Sequence, residues 1–181
     1  MVVRRDALLE TATRVLLADP AASLGDVARA AGMSRTSLHS RYPTRTALLT
    51  ALAHEAMDLV EQVYDRAGLT ADDPLPEVLE RLVTRLLPLG PRVEFLVRER
   101  SLDSVPDVVA RYETLDAPLT ALVERRQAAG ELDPGLPAWW VAAALHGTVS
   151  TAWEAIADGR LAPRDAPALV LTTVLRGAGR R

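Results

Sequence analysis

In "SRTSLHSRYPTRTALL", residues 34–49, three arginines, a histidine and a series of serine and threonine hydroxyls stand together without a single acid. Guanidinium groups pair with phosphate oxygens, and short hydroxylated side chains reach base edges at close range. The chemistry these residue types offer is recognition of a polyanion. A carboxylate on the same surface would repel phosphate, so its absence matters. On a helix, with Leu38 at the centre of the buried face and about 100° per residue, Thr36 and Ser40 fall nearly opposite Leu38. Ser37 and His39 flank them, and Tyr42 lies within about 40° of Leu38. Arg35 sits in the first turn, and Arg41 and Arg45 bracket the far end.

The chain around this stretch is helical by its periodicity, and no segment alternates in the manner of a strand. In "RRDALLETATRVLLADP", Leu8, Ala12, Val15 and Leu16 share a face, and Asp19-Pro20 ends the helix. Ser23 is positioned to cap the next helix, with Asp26 three residues on as a weak capping box. Leu24, Val27, Ala28 and Ala31 line its inner side, and Gly32 supplies the turn. A third helix runs from Ser34 to about Tyr42, where Pro43 stops it. Helix, glycine turn and helix in this order form a helix-turn-helix. Thr44 then caps a long helix to about Arg66, with Leu48, Leu52, Ala56, Leu59 and Val63 on one stripe. At 1.5 Å per residue it extends about 33 Å. "AGLTADDPLP" (67–76) is the clearest break in composition. Further helices are expected near 76–87, 92–101, 106–129, 137–158 and 165–177, with a kink or split at Pro118.

Charge follows the same division. Residues 1–50 hold seven arginines against four acids, a net of +3, which leaves −6 on the rest of a chain whose total is −3. A basic head on an acidic body suggests that only the head meets a polyanion. Lys is absent while Arg numbers 21, so the choice of Arg over Lys at one position reflects overall usage. Aromatics make up only 4%, so the core rests on Leu, Val and Ala. Without Cys, disulfides and thiolate metal sites are excluded. No apolar run approaches the roughly 18 residues that span a bilayer, and the N-terminus lacks a signal-peptide pattern. A cytoplasmic protein is expected.

The stretch "SLGDVARAAGMSRTSLHSRYPTRTALLTAL" resembles the DNA-binding head of tetracycline-repressor-type (TetR family) transcriptional regulators. The residues that carry the resemblance are Ser23, Val27, Ala28, Ala31, Gly32, Met33, Ser34, Leu38, Tyr42, Pro43, Arg45 and Leu48. The motif covers about residues 8–53. Three positions depart from the family pattern: His39 stands at a usual Tyr, Thr36 at a frequent Gly, and Arg45 at the usual Lys. The resemblance implies an all-α fold of about nine helices. Residues 1–46 would form the helix-turn-helix domain, and 47–181 a ligand-binding and dimerisation domain entered through the connecting helix 44–66. The candidate contacts to operator DNA are Ser23, Ser34, Arg35, Thr36, Ser37, His39, Ser40, Arg41, Tyr42 and Arg45.

In such families the body binds a small molecule and dimerises, and the head is released from its operator on ligand binding. Dimerisation has a second argument, since one short helix reads few base pairs and two must sit about 34–36 Å apart to enter successive major grooves. Residues 137–158 carry a smooth ridge of Ala143, Gly147, Thr151 and Glu154 beside the apolar stripe Val141, Leu145, Ala152 and Ile156. With 165–177 they could pair with a second copy as a four-helix bundle, or form the buried core of a monomer. For the expected ligand, a small apolar or amphipathic molecule, the scarce aromatics Phe95, Tyr112, Trp140 and Trp153 and the polar Arg98 and His146 are the candidates. Ordinary core packing is the alternative for each of them. A body that recruits a protein partner in place of a ligand is a second reading of the function.

Catalysis has little to stand on. His39, His54 and His146 are far apart in sequence, and no glycine-rich phosphate loop occurs. "HEAMD" (54–58) resembles half of a zinc-protease helix, but Asp58 stands where the second histidine is needed. No metal, cofactor or catalytic residue is expected.

Overall fold

The computed structural model of the protein describes residues 2–179. Among them are ten α-helices: α1 Val2–Ala18, α2 Leu24–Ala30, α3 Arg35–Arg41, α4 Arg45–Ala67, α5 Leu75–Leu86, α6 Gly90–Arg98, α7 Pro106–Leu115, α8 Ala117–Ala128, α9 Ala138–Ala157 and α10 Ala166–Ala178. Short 3-10 turns occupy Leu87–Leu89 and Arg100–Ser104. The only β pairing among the described residues is an isolated bridge between Leu132 and Gly179. The all-α expectation therefore holds, with one helix more than anticipated. The region 106–129 is divided at Asp116, with Pro118 in the first turn of α8. There its missing N–H has no helical partner to lose. No helix among the described residues is long and apolar enough to cross a membrane.

The chain folds as two compact units. The first comprises the residues up to Asp58 together with Pro91–Arg111. In it α1 packs on α2 and α2 on α3, around Leu9, Ala12, Val27, Leu38, Leu48 and Leu52, all at most 2% exposed. Further along, α4 holds its neighbours by charge. Glu55 accepts from Arg92 Nε at 3.1 Å, Asp58 from Arg111 Nη2 at 2.6 Å, and His54 Nε2 lies 3.0 Å from Asp107 Oδ2. The hydrogen bond with His54 holds the Asp107 carboxyl below its ordinary value.

The second unit comprises Leu59–Gly90 and the residues from Tyr112 onward. Its α5 buries Leu75, Val78, Leu79, Leu82, Val83 and Leu86, the three-and-four spacing of an amphipathic helix. Each such side chain contributes about 1.5–3 kcal/mol on leaving water. Helices α8 and α10 pack on α9, and α5 packs on α10. The apolar core lined by Leu75, Leu79, Leu119, Leu145 and Val174 keeps a void of about 10 Å³, at the lower edge of what one water needs.

Three arginines fasten the loop between α4 and α5. Arg81 Nε donates to the Ala67 carbonyl at 3.0 Å, Arg125 to that of Leu69, and Arg126 Nη2 to that of Asp73 at 2.5 Å. Arg81 also pairs with the Asp73 carboxylate at 2.7 Å.

Candidate nucleic-acid interface

The helix-turn-helix is built from two capped helices and one left-handed residue. Ser23 Oγ accepts from Asp26 N at 3.2 Å, while Asp26 Oδ2 accepts from Ser23 N at 2.9 Å and from Ser23 Oγ at 2.7 Å. The reciprocal pair satisfies two N–H groups that the first turn of a helix leaves open. These bonds from Ser23, aided by Arg29 at 2.9 Å, lower the Asp26 carboxyl to about 2. At the other end of α2, Gly32 adopts φ +64, the left-handed conformation that glycine enters without a Cβ penalty. Met33 N then donates to Ala28 O at 2.9 Å and Gly32 N to Arg29 O at 3.2 Å, the pair of bonds of a Schellman turn. The chain leaves it directly into Ser34, whose Oγ caps α3 by accepting from Ser37 N at 3.0 Å.

Leu38 is fully buried, and its anchoring decides what the rest of α3 presents. Arg35, Thr36, Ser37, His39, Ser40 and Arg41 are all exposed. Arg35, Thr36, His39 and Ser40 border an open hollow of about 380 Å³. The Arg35 side chain leans back over the first turn of α2, its Nε 3.5 Å from where a Cβ on Gly25 would lie. The Ser34 and Ser37 hydroxyls bond to each other at 2.8 Å, and Thr36 and Ser40 carry the other exposed hydroxyls of α3. This surface carries hydrogen-bonding groups and cations, and no acid.

Two of the ten candidate contacts are placed differently from the others. Tyr42, 8% exposed, is in the packing on the Leu38 side. Arg45 is half-buried, and its guanidinium donates to the carbonyls of Pro20, at 2.6 Å, and Ala22. Ser23 and Ser34 are exposed, but their hydroxyls serve as helix caps.

The six candidate ligand residues are distributed over both units. In the first, Phe95 is buried, and Arg98 is exposed and pairs with Glu94 at 2.8 Å. In the second, Tyr112 and Trp140 are 50% and 55% exposed, the latter edge-on to Trp139. The Trp153 indole covers Gly90. His146 joins a polar cluster that the sequence did not reveal. Tyr64 Oη donates to Asp116 Oδ1 at 2.7 Å and lies 2.9 Å from His146 Nε2, while His146 Nδ1 lies 3.1 Å from Asp116 Oδ2. Burial and the Asp116 charge push the Tyr64 phenol well above its ordinary value. Burial pushes the Asp116 carboxyl up, but the bonds from His146 and Tyr64 outweigh it and hold the group low. Tyr64 follows Ala56 and Val60 at intervals of four residues, and all three are buried, a spacing signal that could have pointed it inward, though the stripe Leu48, Leu52, Ala56, Leu59 and Val63 did not include it. Asp116 gave none beyond its place before a proline-started helix. No group of His, Asp and Glu among the described residues is arranged to hold a metal ion.

Comparison with known proteins gives this geometry its setting. No family model matches the chain. The HTH-type transcriptional repressor LfrR of Mycolicibacterium smegmatis is 37% identical over 155 residues, 86% of this chain and 80% of that one. The crystal structure of the TetR-like regulator LfrR in complex with proflavine superposes with a TM-score of 0.78 at 32% identity, covering 96% of each chain. The ketosteroid transcriptional regulator KstR2 of Mycobacterium tuberculosis shares the fold, with a TM-score of 0.76 at 20% identity over 98% of this chain and 96% of that one. These relatives are transcriptional regulators, and the match to the repressor extends over most of both chains. The chain belongs to the TetR family of helix-turn-helix transcriptional regulators.

Proposed function

We propose that the protein is a dimeric, ligand-responsive repressor whose α3 enters the major groove of operator DNA and which leaves that operator when a small molecule binds its body. The observation that carries this reading is the exposed, acid-free face of α3, held outward by the buried Leu38. Thr36 and Ser40 address base edges there, while Arg35, His39 and Arg41 at the margin hold phosphates and fix the register. Ser34 and Ser37 turn toward the backbone at the start of α3, Ser23 contributes there by fixing the first turn of α2, and Tyr42 supports α3 from within. In this reading residues 1–46 recognise DNA, and 47–181 bind the ligand and dimerise. A regulator that acts on DNA in this way works in the cytoplasm.

The dimer forms through α9 and α10. Their inner faces are buried, while Ala143, Gly147 and Thr151 of α9 and Leu169, Thr172 and Thr173 of α10 are exposed. Thr148, Thr151 and Thr173 donate their hydroxyls to carbonyls one turn back, at 2.7–2.9 Å. The outer ridges are therefore small and poor in free donors, as close helix packing requires. The effector is a small apolar or amphipathic molecule, in keeping with the proflavine held by LfrR. Its contacts are sought among Phe95, Arg98, Tyr112, Trp140, His146 and Trp153. The helix α4, which begins just after α3, carries the response to the head. DNA and effector then weaken each other's binding by the same factor, typically about 1–3 kcal/mol.

The test is a duplex selected from a random pool by the wild-type protein. Arg35→Ala should lower the salt slope of binding by about 0.9. Thr36 substitutions should change the preferred sequence, and Ser40→Glu should abolish binding. Undiminished binding by Ser40→Glu would reject the assignment of this face. Proflavine, titrated into the complex as a first probe of effector class, should release the DNA.

A further inference from the structure

We infer that Arg45 is a positioning residue for operator recognition: its guanidinium closes the helix-turn-helix at both chain ends and sets the pose of α3, without gripping a phosphate. The inference rests on the reading that α3 faces DNA. Arg45 is the first residue of α4, and its two terminal nitrogens donate to the carbonyls of Pro20, at 2.6 Å, and Ala22. Ala22 directly precedes Ser23, the cap of α2. The guanidinium thus joins the residues just before α2 to the residue just after the α3–α4 turn. The whole segment 23–44 is enclosed between them.

Charge explains why this contact is favoured. A cation in the first turn of a helix is opposed by the positive end of the helix dipole. At the α4 N-terminus the acceptor is a neutral hydroxyl, Thr44 Oγ1, which takes the Ala47 N–H at 3.0 Å. Two carbonyl oxygens from the α1–α2 loop receive the charge instead. The loop is fixed to present them, since Ala21 N donates to Asp19 Oδ1 at 2.9 Å and Ala22 N to Asp19 O at 3.0 Å. Two acceptors on separate residues suit a planar fork of donors. An ammonium, a compact point charge, does not reproduce that fork. Arg35 and Arg41, exposed on α3 itself, remain for the phosphates.

The salt dependence of DNA binding separates the two roles, because each phosphate contact contributes about 0.9 to the slope of log K against log salt. On the selected duplex, Arg45→Ala should bind about tenfold more weakly with the wild-type slope. A slope lower by about 0.9, or undiminished affinity, would overturn the inference. Arg45→Lys keeps the charge and decides the matter if the alanine variant does not fold. It should lose affinity with an unchanged slope, whereas wild-type affinity would show that charge alone suffices and overturn the role. Ser40→Glu on the same duplex is the control for the underlying reading. If it still binds, α3 does not face DNA, whatever Arg45 does.

Discussion

The indole of Trp153 occupies the space that any side chain at Gly90 would need: a Cβ there would lie 2.1 Å from Cδ1 and Cγ of the ring. Gly90 opens α6 and is buried, and Trp153 lies late in α9. Gly90→Ala must therefore displace the ring. Overpacking of this kind costs about 1–3 kcal/mol, so the melting temperature should fall by several degrees and the tryptophan emission should shift. Combining Gly90→Ala with Trp153→Ala should cost less than the sum of the two. Additive losses would show that the ring can step aside freely.

The Tyr64–Asp116–His146 cluster predicts a dependence on acid. Asp116 is held below its ordinary value in the folded protein. Its contribution to stability is therefore present above the ordinary carboxylate range and lost as pH falls through the lower, folded value. Tyr64→Phe should cost about 1–3 kcal/mol at neutral pH. The gap to wild type in urea unfolding should narrow below about pH 4.

Asp26 makes a similar prediction in the head, at lower pH. Its carboxyl falls from 3.8 to about 2 on folding, so its support of α2 is complete above 3.8 and disappears toward 2. Asp26→Asn should loosen the amide protons of α2 against exchange at neutral pH. Wild type should approach the variant as acid is added across that interval. If the two differ by the same amount throughout, the capping charge is not what holds α2.

Gly147 tests the proposed dimer face directly. It is exposed on α9, and beyond its chain neighbours and its own helix backbone nothing described lies within 4 Å of where its Cβ would be. A larger side chain therefore fits the folded chain. Alanine there favours a helix by about 1 kcal/mol over glycine. Gly147→Arg should retain the helical circular dichroism and sediment as a monomer. A dimer of wild-type affinity would remove this ridge from the interface.

The head was largely legible because its signals are local. Ser23 with Asp26, Gly32, and the single apolar Leu38 among polar neighbours each act within a few residues, and each does in the fold what its spacing suggests. Tyr42 shows both halves of the lesson: the helical wheel placed it near Leu38, while its place in the motif suggested a DNA contact. Arg45 was harder. A long side chain at a helix start can turn either way, and only the fold brings the carbonyls of Pro20 and Ala22 within its reach. In the body, the small ridge and apolar stripe of α9 could be read from their periodicity. The partners of His146 could not, because Tyr64 and Asp116 lie 82 and 30 positions from it along the chain, and nothing local connects them. Scarcity of aromatics picks out residues worth inspecting but carries no information about which of them meet.

The loop between α4 and α5 reverses its appearance in the sequence. "AGLTADDPLP" has the small, acidic and proline-rich makeup of slack tether, yet guanidinium groups from Arg81, Arg125 and Arg126 bind the carbonyls of Ala67, Leu69 and Asp73 along it. A guanidinium presents five N–H donors in a fixed fork, so one of these side chains can hold a carbonyl and still reach a second acceptor, as Arg81 does with the Asp73 carboxylate. The joint at the end of the long helix behaves as a welded bracket, and movement reaching it along α4 would be handed on to α5 without being absorbed.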